Sequence, residues 1–136
     1  MESALVLWDI ANNPCPGLYI TATDKLATRF NDRELEPHFR HCKEVEKLAI
    51  RKRDLWSKRE KIFLNKATLG LRGSNSPNNL GSFPAERIKL DEVDKWPDES
   101  SREAPAVELA IARTRSYQDV RKVCIISTPT IENGAL

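Results

Sequence analysis

The sequence predicts an α/β fold in which a mainly parallel sheet is flanked by helices. Short β-prone runs alternate with helix-like segments, and this alternation is typical of parallel strands joined by crossover helices. The run Val123–Ser127 is apolar almost throughout, which predicts a strand covered on both faces. A second run, Ile88–Leu90, ends at two adjacent carboxylates. The length of 136 residues fits one domain, 1–136.

The first half of the chain is expected to contain three helices and one strand. The helices are expected over 3–10, from about 24 to Pro37, and over 43–58; the strand is expected over 18–21. Thr23 or Asp24 can cap the second helix, which Pro37 should disturb. The third helix is highly charged, with a sparse apolar side that includes Val45, Leu48 and Trp56.

The second half is expected to contain a hairpin, a loop, a helix and the apolar strand. Residues 62–64 and 67–72 form two candidate strands around the turn pair Asn65-Lys66, and 73–79 has the composition of a loop. Pro105 suits the first position of a helix that continues to Thr114. Strand 123–127 then follows.

Charge is unevenly distributed along a chain whose net charge is only +2. Residues 43–61 hold eight basic and four acidic side chains. Candidate nucleic-acid contacts in this run are Arg51, Lys52, Arg53, Lys58 and Arg59. A solvated helix face explains the same run at least as well.

Location is indicated by three further features. No apolar run approaches the roughly 18 residues of a membrane span, so no membrane partner is expected. The start of the chain has no basic leader. The three cysteines are far apart and are expected to be reduced thiols in a cytoplasmic protein.

Asp91 and Glu92 are the main candidates for chemistry. Ligands bind off the carboxyl ends of parallel strands, where these acids are expected to lie. Asp91 can hold Mg²⁺ directly or through water, and Glu92 can orient or deprotonate a water molecule. In nucleotide hydrolases such a pair is the Walker B signature. The alternative is a solvated acidic loop. The sequence contains no Gly-Lys-Ser/Thr phosphate-binding motif.

Several pieces of the sequence resemble, in order, the ATPase region of phage terminase large subunits of the lambda type, which package DNA. They are Asn13-Pro14, Gly17-Leu18-Tyr19-Ile20, Phe30 with Arg33, Leu35 and Pro37, Leu71 with Gly73, Asn75-Ser76-Pro77 and Leu80, Asp91-Glu92-Val93-Asp94 with Trp96-Pro97, Ala110–Thr114, and Ser127-Thr128-Pro129-Thr130. The resemblance covers nearly all of the chain.

The resemblance implies a P-loop NTPase-like (RecA-like) fold, here incomplete, and a role in an ATP-driven motor that moves viral DNA into a procapsid. By position, Asp91 is similar to the Mg²⁺-associated acid, Glu92 to the catalytic glutamate, and Ser127 and Thr128 to the coupling segment that senses the γ-phosphate. ATP and Mg²⁺ are the implied cofactors. The implied partners are double-stranded DNA, the terminase small subunit and the procapsid portal, and the implied location is the cytoplasm of a bacterial host.

The same resemblance predicts a middle piece of a terminase, without the P-loop and the nuclease domain. The chain alone is then expected neither to bind ATP tightly nor to hydrolyse it, and strand 123–127 should be an exposed edge. Strand 123–127 should run parallel to the strand ending at Leu90, and the helix from Val107 should pack on one face of the sheet. Lys89 stands where the family prefers an apolar residue, so it should reach a rim or a carboxylate. The alternative is a non-enzymatic prophage remnant or interaction protein with a basic nucleic-acid-contacting helix.

Overall fold

A computed structural model describes residues 2–75, 83–96 and 106–127. Four helices lie in the first third of the chain: α1 (Glu2–Asn12), α2 (Asp24–Phe30), α3 (Glu36–His41) and α4 (Lys43–Glu46). A fifth, α5 (Ala106–Ala112), comes near the end. The strands are β1 (Pro16–Thr21), β2 (Glu60–Ile62), β3 (Thr68–Gly73), β4 (Arg87–Asp91) and β5 (Lys122–Ile126).

The strands form one sheet in the order β2-β3-β1-β4-β5. Strands β3, β1, β4 and β5 are parallel to one another, and only β2 is antiparallel, paired with β3. The predicted α/β class with a mainly parallel sheet is therefore confirmed. The predicted hairpin is also present, although β2 begins earlier than expected, at Glu60. Its turn places Lys66 in the left-handed region with a φ of 70°.

Apolar side chains cover both faces of the central strands. On one face a cluster of buried side chains joins the strands to the N-terminal helices: Val6, Ile10, Tyr19, Ala27, Phe30, Leu35, Phe39, Leu69 and Leu71 are among its members. On the other face Ala110, with Val107 and Leu109 packed against the cluster, brings α5 onto Leu18, Ile88 and Leu90. Packing of this helix through Val107, Ala110 and Ile111 was expected; it is confirmed for Val107 and Ala110, whereas Leu109 takes part in the cluster in place of Ile111. Pro105 lies outside the described residues.

The helix after β1 begins as predicted but does not end at the proline. The Thr23 hydroxyl accepts a hydrogen bond from the backbone N–H of Leu26 at 3.2 Å, which caps α2. Asn31–Leu35 then forms a π-helical segment, in which the N–H of Glu36 bonds to the carbonyl of Asn31. The wider turn accommodates Pro37, which has no N–H to contribute and whose ring would crowd a regular preceding turn. The helix therefore continues into α3.

The prediction of a charged helix over 43–58 is wrong. Helix α4 ends at Glu46, and the chain returns to the hairpin through two isolated antiparallel bridges, Ala49 to Phe63 and Trp56 to Lys61. The apolar positions keep helical spacing, since Leu55 and Trp56 follow Leu48 and Ala49 by seven residues, but tertiary packing decides the path of the chain instead. The Trp56 ring packs edge-on against Phe63, with 5.3 Å between ring centroids.

Strand β5 is the last strand of the described sheet, as the resemblance predicted, so one of its edges has no strand beside it among the described residues. The expectation that both of its faces are covered is wrong. Ile125 is 44% exposed. Its apolar run predicted a strand correctly but did not predict how completely the faces are covered.

The charged residue in the middle of β4 has a partner. Lys89 is 8% exposed, and its ammonium forms an ion pair with the Asp9 carboxylate of α1. Asp9 also lies 3.7 Å from the Arg87 guanidinium. The prediction that Lys89 would lie beside a carboxylate is confirmed, and the pair fixes α1 against the sheet.

Candidate functional site

The ends of β4 and β5 bring the predicted site residues to one edge of the sheet. The two strands are parallel, and Asp91 pairs with Ile126 in the register. One residue further on, the Glu92 N–H donates a hydrogen bond to the Ile126 carbonyl at 2.7 Å. Ser127 follows directly. We call Asp91, Glu92 and Ser127 the acidic edge.

Asp91 is the last residue of β4 and is held from two sides. The Tyr19 hydroxyl donates a hydrogen bond to Asp91 Oδ2 at 2.5 Å. The indole N–H of Trp96 donates to the Asp91 carbonyl at 2.9 Å, which draws the following turn back over the strand end. Both the carboxylate and its backbone are therefore fixed by side chains from elsewhere in the fold.

Glu92 has an uncommon backbone conformation, with φ 50° and ψ 45° in the left-handed region. For a residue with a Cβ this conformation costs about 1–2 kcal/mol, and such residues cluster at functional sites. The side chain is 40% exposed and pairs with the Lys95 ammonium at 2.8 Å. The hydrogen bond with Glu92 raises the pKa of Lys95. Glu92 thus occupies a sharp backbone turn directly after β4.

Ser127 connects the two loops that follow the strands. Its hydroxyl accepts a hydrogen bond from the backbone N–H of Asp94 at 3.1 Å. The segment after β5 is therefore physically joined to the turn after β4. Thr128, the other predicted coupling residue, lies outside the described residues.

A cleft of about 390 Å³ opens beside Asp91 and Glu92. Strand β1 supplies Tyr19 and Thr21, and α2 with the π-helical segment supplies the opposite wall. Arg29 and Arg33 lie in that wall, and the sequence reasoning did not assign them to the site. Their spacing of four residues in one helical stretch was the only signal that could have linked them, because residues at i and i+4 share a helix face.

The candidate nucleic-acid residues divide into two groups. Arg51, Lys58 and Arg59 form ion pairs with Glu46, Asp32 and Asp24, at 2.6, 2.9 and 3.3 Å respectively. Lys52 and Arg53 are exposed, and no ion pair joins either to another described residue. The structure does not bring any of the five to the acidic edge.

Arg51 belongs to a second charged group, which we call the Glu36 cluster: Glu36, Arg51, Trp56 and Lys61. Glu36 accepts hydrogen bonds from the Trp56 indole at 2.8 Å, from Lys61 at 3.1 Å and from Arg51 at 3.1 Å. Lys61 is only 1% exposed, and its ammonium also donates to the Ser57 carbonyl at 2.6 Å. Burial lowers the pKa of Lys61. This cluster holds the segment after α4 against α3.

The pKa of Glu36 is the outcome of opposing effects. Burial is the largest single effect and acts to raise it, but the hydrogen bonds from Trp56, Lys61 and Arg51 and the charge of Lys61 together outweigh burial, so the pKa lies below its ordinary value. Arg51 is stabilised in its charged form chiefly by the hydrogen bond it donates to Glu46, which raises its pKa. Every charge in the Glu36 cluster is thus compensated within the cluster or by Glu46.

The donor set at the acidic edge fits a magnesium ion that is shared with a phosphate ligand. Mg²⁺ is typically held by one or two carboxylates together with waters and phosphate oxygens, and Asp91 and Glu92 supply carboxylates beside an open cleft. Among the described residues, no three histidine, cysteine, aspartate or glutamate side chains gather as a complete metal cage. The edge therefore suits a weakly held ion that a phosphate group would complete.

A known protein family matches almost the whole chain. The sequence profile of the family described as "Phage terminase large subunit gpA, ATPase domain" matches residues 1–135. No curated protein sequence matches the chain. No helix within the described ranges is long and apolar enough to cross a membrane.

The chain is also similar in fold to the large terminase ATPase domain of Thermus phage P74-26. The match has a TM-score of 0.65 at 23% identity and covers 97% of this chain and 55% of that chain. A variant of that domain with one arginine replaced by alanine matches with a TM-score of 0.60 at 21% identity, again over 97% and 55% of the two chains. The chain thus spans about half the length of these solved domains. The family that the sequence resembles is confirmed: the chain belongs to the ATPase domain family of gpA-type phage terminase large subunits.

Proposed function

We propose that this chain, residues 1–136, is the central and C-terminal part of a terminase ATPase domain and that its acidic edge performs the metal-side chemistry of ATP hydrolysis. The observation that carries the proposal is the parallel pairing of β4 and β5, which brings Asp91, Glu92 and Ser127 to one sheet edge. A metal-bound phosphate must be reached from both loops, and this arrangement allows it. In the intact motor, hydrolysis would drive double-stranded DNA into a procapsid.

The residues have separate roles in this proposal. When bound, Mg²⁺ would neutralise charge on the phosphates of ATP. Asp91, fixed by Tyr19 and Trp96, would hold the ion through a water molecule. Glu92, aimed by its left-handed turn, would orient the attacking water and accept its proton. Ser127, hydrogen-bonded to the Asp94 N–H, would report the state of the phosphate to the turn after β4.

Coupling is proposed to continue from Ser127 to Thr128. The hydrogen bond between the two loops supports this, because displacement of Ser127 would move the Asp94 backbone with it. The proposed partners are DNA, the terminase small subunit and the portal, in the bacterial host cytoplasm. Lys52 and Arg53 are the proposed DNA contacts that keep exposed charges. The alternative was a non-enzymatic prophage remnant or interaction protein that contacts nucleic acid through a basic helix. That helix does not form, because α4 ends at Glu46.

ATP turnover by an intact large subunit that carries these residues tests the proposal. We expect Glu92→Gln to lower turnover by about 100-fold or more, because a positioned base contributes at least that much, while ATP binding is retained. Asp91→Asn should raise the Mg²⁺ concentration needed for half-maximal turnover. The control is Glu44→Gln, which changes a glutamate on the surface of α4. Turnover by Glu92→Gln within twofold of the parent would contradict the proposal.

A further inference from the structure

Tyr19 is buried in the sheet but ends at the acidic edge. It lies in the middle of β1, next to β4, and is 1% exposed. Its ring stacks on Phe30 with 4.2 Å between ring centroids and an interplanar angle of 10°. Its hydroxyl reaches Asp91 Oδ2 at 2.5 Å across 72 positions of sequence. Packing thus fixes the ring, and the fixed ring aims the hydroxyl.

This hydrogen bond can orient a carboxylate without using up its capacity to bind. A buried tyrosine hydroxyl needs a partner, and a carboxylate is a strong one because the bond is charge-assisted. A carboxylate offers about four lone-pair positions, of which one donor occupies one. Rotation of the Asp91 side chain would break the bond, so Tyr19 limits the directions that the carboxylate can take.

We propose that Tyr19 is a positioning residue for Asp91, which it holds in the direction that a divalent cation requires; this inference rests on the proposed function of the acidic edge. Partners that hydrogen-bond to a metal ligand set its orientation, and their loss typically lowers metal affinity by about 10–100-fold. Phe30 has a supporting part, since its ring and that of Tyr19 pack face to face and both line the same cleft.

The test is a Mg²⁺ titration of the 136-residue chain, followed by the backbone amide signals of Asp91 and Glu92 in NMR spectra. Tyr19→Phe removes one oxygen and keeps the ring that stacks on Phe30. We expect its apparent dissociation constant to be weaker than the parent's by about tenfold. The matched control is Tyr117→Phe, which changes the only other tyrosine of the chain and should stay within twofold of the parent.

The outcomes separate this inference from the proposed function. Unchanged affinity in Tyr19→Phe, together with lost binding in Asp91→Asn, would overturn the positioning role and leave the metal site standing. Equal titrations of the parent and Asp91→Asn, or no saturable shift in the parent, would overturn the metal site and the positioning role together.

A second measurement needs no change at position 19. Fluorotyrosine incorporated into the Tyr117→Phe protein labels Tyr19 alone, because the chain has two tyrosines. Its fluorine signal should shift on addition of Mg²⁺ and saturate with the same dissociation constant as the Glu92 amide. A purely structural tyrosine would give a signal that Mg²⁺ does not move, and that result would overturn the inference.

Discussion

The acidic edge and the Glu36 cluster both gather charges beside a cleft, but they differ in how those charges are compensated. In the Glu36 cluster one carboxylate accepts from three donors, and one of them, Lys61, is 1% exposed. At the acidic edge the Glu92 carboxylate pairs with Lys95, whose side chain is 54% exposed. Water and salt can displace such a partner, whereas they do not reach Lys61.

The difference indicates which charges hold the fold together and which remain available to a ligand. The clefts have similar volumes, about 390 Å³ at the acidic edge and about 310 Å³ beside the Glu36 cluster, so size does not distinguish them. Compensation does. If a carboxylate that pairs with a buried cation were to bind a ligand instead, the cation would be left buried and unpaired, which is costly.

The largest effect is expected from Glu36→Gln. It leaves the buried Lys61 ammonium without its ionic partner, and removal of one member of a buried pair typically costs about 3–5 kcal/mol. We expect a loss of about 3 kcal/mol in the free energy of unfolding, measured by urea denaturation, because glutamine keeps one acceptor. Glu44→Gln, which alters a pair whose side chains are 73% and 80% exposed, should change stability by less than about 0.5 kcal/mol.

The double variant Glu36→Gln/Lys61→Met sharpens this test. If the cost comes from the uncompensated ammonium, removal of that ammonium should restore much of the stability lost in the single variant. A double variant less stable than Glu36→Gln alone would show that packing, not charge, is the main contribution of Lys61.

The stability contributed by Glu36 should depend on pH. Its pKa is lower in the folded chain than in the unfolded chain, so the contribution is fully present above the unfolded value of about 4.3 and disappears as the pH falls through the folded value. The difference in unfolding free energy between the parent and Glu36→Gln should therefore shrink as the pH is lowered below about 4. A difference that stays constant down to pH 2 would contradict this account.

A smaller effect on stability is expected at the acidic edge, where glycine should be the more stable of two substitutions for Glu92. Glu92 has a φ of 50°, which glycine adopts without the steric cost that any Cβ brings. Glu92→Gly should be more stable than Glu92→Ala by about 1 kcal/mol in urea denaturation, while neither variant keeps the carboxylate. Equal stabilities would mean that the turn relaxes when the side chain is removed.

The smallest effect on stability is expected for Lys52→Ala/Arg53→Ala, because these exposed side chains have no ion pair among the described residues. The unfolding free energy should change by less than about 0.5 kcal/mol. If both side chains contact DNA phosphates, a plot of log DNA affinity against log salt concentration should have a slope about 2 smaller in magnitude for the variant than for the parent. An unchanged slope would remove these residues from the proposed DNA contacts.

The sequence predicted the acidic edge better than the Glu36 cluster for a physical reason. Asp91 and Glu92 lie at the carboxyl end of a short predicted strand, and the rule that parallel strands end at a common edge places them without any side-chain detail. The Glu36 cluster depends on a chain path through 47–59 that departs from the helix its apolar spacing predicts. Packing of Trp56 against Phe39 and Phe63 overrides the helical preference of that segment.

Tyr19 and the two cleft arginines show a second limit of sequence reasoning. Tyr19 lies 72 positions from the carboxylate it binds, and only the register of β1 on β4 brings them together. Arg29 and Arg33 share a helix face, but the cleft they line exists only after α2 has packed on the sheet. Local patterns predicted the strands and the acids, whereas the long-range contacts required the fold.

The most direct test of the central claim is the position of a divalent cation. Crystals of the chain soaked in Mn²⁺ at high concentration allow the ion to be located by its anomalous scattering. We predict a peak in the cleft beside Asp91, within about 5 Å of its carboxylate, since the ion is expected to bind through a water molecule. No peak is expected at Glu36, whose carboxylate is occupied by three donors. A peak at Glu36 and none beside Asp91 would contradict the account.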